Sequence, residues 1–264
     1  MNIIQRNFFR LLHAGALNEY ESLEPMSPFK WKRLVQMSKA QNVAFITRKG
    51  IKNHQYDSEL NIPSNLMEEL ESAEHLAEPD HYELSNPTLN KRLRKIRKQE
   101  PHTIDASIDT VSLLDIIVQN CGYMLNSGIS LRSILELGRF LRTKGDKVDF
   151  VKLDNWLTLL HLQRIAQLQG SILIAVFKFS QAEIPFVQKT VPEAGQLTLR
   201  SLNHTAIDTA EWHFKQSKSG FVKNNSAILR RNLRRSVRYI GYAPIETVSN
   251  FVRNFAHSLT EIEE

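Results

Sequence analysis

The chain is predicted to be all-α, a multi-helix bundle, on three observations. Apolar residues recur at three- and four-residue spacing along nearly its whole length, which gathers them on one face of a helix. Period-two alternation bounded by glycine-containing hairpin turns is hard to find. Helix starts, finally, are spelled out in capping residues. The clearest is Ser27-Pro28, with Ser27 as N-cap and Pro28 at the first helical position, where its missing N–H costs nothing.

Taken in order, a first helix is expected from about Ile3 to Ala14, with Ile4, Phe8, Leu11 and Leu12 on one stripe. The Ser27 helix follows, with Met26 placed to staple onto Trp31 and Leu34 and Val35 continuing the buried face. A shorter segment spans Val43 to Ile51, and Pro63 opens a helix carrying Leu66, Met67 and Leu70. Later segments read as a bundle: Val111 to Leu125, Ser130 to Arg142, Asp149 to about His161, and Leu162 to Phe179, joined by turns at Gly128 and Gly145. Leu131, Ile134, Leu135 and Phe140 occupy core-facing positions. After a Pro- and Gly-containing loop come a helix near Leu199 to Phe214, a basic helix from about Ser226 to Ile240, and an amphipathic helix after Pro244 with Val248, Phe251, Val252, Phe255 and Leu259.

Charge divides the chain. Asp57 to Glu83 holds nine acidic residues and no Lys or Arg, and Lys91 to Lys98 then reverses the sign. With Pro79, Pro87 and Pro101 punctuating the same region, the expected organisation is an N-terminal helical part, residues 1–100, and a C-terminal helical bundle with a basic tail helix, residues 101–264. The two charged runs are expected to be solvated helix faces that neutralise each other.

Composition excludes several classes. With 264 residues, 42% of them hydrophobic, the chain can bury a sizeable core. Its single cysteine, Cys121, lies in an apolar run, which excludes an internal disulfide and suits a buried, inert thiol. The start carries Arg6 and Arg10 within its apolar stretch, and the uncharged run Ile165 to Phe177 is too short for a bilayer, so a cytoplasmic location is expected. Nine histidines invite a metal reading. Glu71 with His75, and His204 with Asp208 and Glu211, share helix faces, but the spacings of structural zinc sites and of metalloproteases are absent, so neither metal nor cofactor is expected. Gly170-Ser171 lacks a preceding strand and reads as a close helix-packing point, and no nucleophile elbow or phosphate loop is present.

The strongest physical feature is the basic helix. Trp212 to Ile245 holds eight Lys/Arg and no acid, within a formal net charge of +6. Arg230, Arg231, Arg234, Arg235 and Arg238 project across one arc, with Leu229, Leu233, Val237 and Ile240 expected on a core-facing arc. This cationic face suits an acidic protein partner, nucleic-acid phosphates or anionic lipid. Alternatively it packs on acidic helices such as the one holding Glu68, Glu69 and Glu71, which is the favoured placement because the segment from Asp57 to Glu83 otherwise lacks enough cationic partners beyond the Lys91 to Lys98 run.

Several segments carry a family resemblance. Phe9-Arg10-Leu11-Leu12 with Trp31 and Leu34, then Gly128-Ile129-Ser130-Leu131-Arg132, Phe140-Leu141, Val148-Asp149-Phe150, Leu159-Leu160-His161-Leu162, and the tail Arg230 to Pro244-Ile245-Glu246 are similar to those of bacterial nucleotidyltransferase family proteins of polysaccharide gene clusters. Catalysis in that family needs a Gly-Ser turn after a strand, an Asp-x-Asp pair and a third carboxylate to bind divalent ions. Here Gln99 to Asp109 offers only Asp105 and Asp109, four apart, and Glu136 stands near a usual aspartate position. The resemblance therefore implies a helical scaffold without the family's central sheet, and no catalytic residue is carried over. The expected function is a non-catalytic binding or regulatory subunit, with surface polysaccharide synthesis as the setting that the resemblance implies. The alternatives are an active nucleotidyltransferase with a rearranged site and a nucleic-acid-binding helical protein using the basic helix.

Overall fold

A computed structural model describes residues 1–57, 60–73, 83–202 and 225–260, the side chains of 225–229 and 257–260 aside. The protein is all-α, and no strand occurs among the described residues. Its helices are α1 (Ile3–Leu17), α2 (Pro28–Ala40), α3 (Ala44–Asn53), α4 (Asn65–Glu71), α5 (Pro87–Gln99), α6 (Ile108–Asn126), α7 (Leu131–Lys144), α8 (Phe150–Leu159), α9 (Gln163–Phe177), α10 (described over 194–202), α11 (Asn225–Tyr239) and α12 (Pro244–Thr260). They fall into two compact units, the first made of Met1–Glu78, Val176–Lys178 and Gly195–Gln216, the second of Pro79–Ala175, Phe179–Ala194 and Ser217–Glu264.

In the first unit the stripe expected on α1 is real: Phe8, Leu11 and Leu12 are fully buried, as are Trp31, Leu34 and Val35 of α2. Met26 is buried ahead of α2, as a staple to Trp31 requires. Ser27 is the N-cap residue but makes no side-chain cap bond. Helix α4 starts at Asn65, two residues beyond Pro63. Helices α1 and α3 cross at backbone contact through paired glycines. A Cβ on Gly15 would strike the carbonyl oxygen of Ile46, and one on Gly50 that of Leu11. Asn7, fully buried, fixes the loop after α1: its amide donates to the carbonyl of Glu24 at 2.7 Å and its oxygen accepts from the Glu24 N–H at 3.0 Å.

A buried imidazole on α1 is held by carboxylates of the same loop. His13 lies between Glu21, 2.5 Å from Nδ1, and Glu19, 3.0 Å from Nε2. Lys178 also pairs with Glu21 at 2.5 Å. Burial pushes the Glu21 carboxyl up, but hydrogen bonds from Lys178 and His13 outweigh it and hold the group below the usual carboxylate range.

The second unit is built round α6, whose Leu113, Leu114, Ile117, Val118 and Cys121 are fully buried. Helices α7 and α8 lean on it, and Gln169 of α9 donates to the Ile117 carbonyl at 3.0 Å. Side-chain caps open two of these helices: Ser130 accepts from the Ser133 N–H at 3.3 Å, and Asp149 from Val151 and Lys152 at 3.0 and 2.9 Å. Gly128 takes φ 104° in the turn between α6 and α7, a conformation that penalises any Cβ. Gly170 is the expected packing point, since an added Cβ would strike Val187. No helix among the described residues is long and apolar enough to cross a membrane.

Two predictions follow from this packing. Gly50→Ala should destabilise the protein by about 1–3 kcal/mol in urea denaturation, because the new methyl must separate α1 from α3. Gly145→Ala, at φ −58° with nothing within 4 Å of the added methyl, should instead be neutral or gain up to about 1 kcal/mol. Glu21, with its lowered pKa, contributes stability that is present above its unfolded value and is lost as pH falls through the folded one. Melting curves taken below about pH 5 should therefore fall less steeply for Glu21→Gln than for the wild type; parallel curves would contradict this account.

Candidate functional site

The C-terminal helices α11 and α12 form a hairpin joined through residues 240–243. Its inner side is polar. Glu246, only 2% exposed, accepts the backbone N–H of Ser85 and, at 3.1 Å, that of Asn86, the N-cap of α5. A carboxylate at this place meets unsatisfied N–H groups and the positive end of the helix dipole. Ser85 Oγ donates to Asn250 at 3.0 Å, and the Asn86 amide donates to Ser249 at 3.0 Å. At the end of α6, the side-chain oxygen of Asn126 accepts from Asn250 and Asn254 at 3.0 and 2.9 Å. Its carbonyl accepts from Arg235. Tyr239, fully buried, is the one large anchor that α11 puts inward among its described side chains, and burial raises its phenol pKa.

The outer side is apolar. Leu233 and Val237 of α11 and Ile240 just beyond its end are 50%, 67% and 45% exposed, and on α12 Val248 and Val252 are 52% and 58% exposed. Ile245 and Phe255 continue the α12 stripe in exposed positions. At about 100° per residue these side chains point away from the residues that bond Asn126, so both stripes turn outward. The core-facing arc expected of α11 is thus corrected: Leu233, Val237 and Ile240 face out, and Asn232, Arg235, Ser236 and Tyr239 take the inner side. Hydrogen-bonding groups on α5 and α6 select the polar arc, because they would be buried unpaired against an aliphatic one. Leu229 lies outside the described side chains.

The five arginines do not form one surface. Arg230, Arg231 and Arg234 are exposed, Arg238 is half-buried, and Arg235 is half-buried on the Asn126 carbonyl. Two of the acids expected to receive them have cations of their own. Glu69 pairs with Lys39 at 2.9 Å and Glu71 with Arg48 at 2.6 Å, both inside the first unit. The reversal of charge at Lys91 to Lys98 is met in part by Glu83, to which Arg94 Nε donates at 3.0 Å.

The remaining sequence candidates have structural partners. Asp105 pairs with Lys152 at 2.9 Å and Asp109 with Lys144 at 3.0 Å, so a separate lysine ties down each. The hydrogen bond from Lys152 is the main cause of the lowered Asp105 pKa. Glu136 pairs with Arg132 along α7 at 3.6 Å. Cys121 is fully buried, and burial, followed by the charge of Glu246, pushes its thiol well up, away from the nucleophilic thiolate. No group of three or more metal-binding side chains occurs among the described residues, and His75, His204, Asp208 and Glu211 lie outside them.

Sequence reasoning missed Glu246, Asn250 and Asn254 as the anchors of the hairpin. Their signal was present as a polar stripe at four-residue spacing along α12. Glu246→Ala should cost about 1–3 kcal/mol, since it strands two part-buried N–H donors, and should speed amide exchange in α12. Glu246→Gln, which keeps an acceptor oxygen, should cost less. A change under about 0.5 kcal/mol for the alanine variant would refute this anchoring role.

No protein-family model, no curated protein and no solved structure matches the chain. The residues and their geometry carry the functional reading.

Proposed function

We propose that this chain is a non-catalytic binding or regulatory subunit: a degenerate, nucleotidyltransferase-like helical scaffold that works by presenting its C-terminal hairpin. The observation that carries the reading is the inverted hairpin itself, polar toward the scaffold and apolar toward solvent, with Val237 67% and Val252 58% exposed. An apolar surface beside exposed cations marks an interaction site. Supporting it, the carboxylates between Gln99 and Thr110 are consumed by structural ion pairs: Lys152 bridges Glu100 and Asp105, and Lys144 holds Asp109.

Titration calorimetry with magnesium and a panel of nucleoside triphosphates tests the non-catalytic part. No binding heat is expected. Micromolar binding that Asp105→Ala abolishes would return the chain to the enzymes.

A further inference from the structure

We infer that the outward face of the α11–α12 hairpin docks an amphipathic helix of another protein, one whose apolar stripe is flanked by acidic residues. The inference rests on the reading that this hairpin is the working surface and names what it binds.

Spacing argues for a helix as occupant. The exposed apolar residues of α11 and the residue just after it follow at four and three residues (Leu233, Val237, Ile240), and those of α12 at three, four and three (Ile245, Val248, Val252, Phe255). That is the repeat of a helix-packing seam, with Leu, Val and Ile as knobs. A hairpin offering two such seams on one side has the form of a bundle lacking a further helix. A lipid-inserting surface is wider and favours Trp, Phe and Leu on its apolar face; six of these seven residues are aliphatic, and five are Val or Ile.

Charge argues for the sign of the partner. Residues 230–256 contain six arginines and one acid, Glu246, which is buried and used. Arg234 directly follows Leu233 at the flanking position that faces a packed helix's charges. Arg230 precedes it by one turn, and Arg253 lies exposed beside Val252. A second copy of this chain would bring these cations against their own kind, whereas an acid-flanked helix neutralises them.

The test uses the full chain and two fluorescein-labelled amphipathic peptides about four heptads long, with identical Leu/Ile seams and either Glu or Lys at the flanking positions. Fluorescence anisotropy should show the Glu peptide binding at least about tenfold more tightly than the Lys peptide, a preference that shrinks with salt. Val248→Asp with Val252→Asp should weaken the Glu peptide by about tenfold or more. Arg230→Glu with Arg234→Glu should invert the preference between the peptides. Melting temperatures should stay close to wild type in both variants, because the changed side chains are exposed. Equal binding of the two peptides, or no binding of the Glu peptide at about 100 µM, would overturn the proposal. So would sedimentation showing a dimer that Val248→Asp dissolves, or binding to phosphatidylglycerol vesicles without binding to the peptide. Each of these failures leaves the non-catalytic reading standing, whereas magnesium-nucleotide binding would remove that reading whatever the peptides do.

Discussion

The carboxylate of Glu246 on the N–H groups of Ser85 and Asn86, just ahead of α5, is the contact that orients the C-terminal third of the second unit. Only 2% exposed, it sits where a helix start supplies unpaired donors and a favourable dipole. With Asn250 and Asn254 on Asn126, it commits α12 to bury its polar stripe. The apolar stripe of the same helix then has nowhere to go but outward. Fully burying a Val, Leu or Ile is worth about 1.5–3 kcal/mol, so leaving a row of them half-exposed forgoes several kcal/mol that a partner can recover.

The first unit shows the opposite arrangement. There Phe8, Leu11 and Leu12 of α1 and Trp31, Leu34 and Val35 of α2 are fully buried, and Gly15 and Gly50 let α1 and α3 touch backbone to backbone. Among the buried polar groups there, Asn7 pairs with Glu24 and His13 sits between two carboxylates at the loop after α1, and Thr47 pairs with Ser38 between α3 and α2. Within one chain, then, the same amphipathic pattern is resolved in two ways. What differs is whether the neighbouring elements offer apolar surface or hydrogen-bonding groups.

This difference reshapes the meaning of the arginines. As a wheel drawn from sequence, Arg230 to Arg238 form one cationic arc. In the fold, Arg235 is drawn in to a backbone carbonyl and Arg238 is half-buried, while Arg230 and Arg234 flank an aliphatic seam. A cationic edge on an apolar strip reads differently from a cationic face, and it calls for a ligand with apolar as well as acidic groups.

The sequence by itself determined the helices and most of their ends. Apolar periodicity sets helix against strand, and Ser130, Asp149 and Gly128 encode starts and a turn through local bonds and φ alone. It also determined that Cys121 is buried, because Leu114, Ile117 and Val118 precede it by seven, four and three residues on one helix face. The tertiary structure alone decided which arc of α11 and α12 turns inward. Periodicity reports that a helix has two unlike faces, and assigning the apolar one to the core assumes an apolar neighbour. Here the neighbours were the open N–H groups of Ser85 and Asn86 and the side chain of Asn126, contributed from more than a hundred residues away. No local pattern carries a bond of that sequence separation.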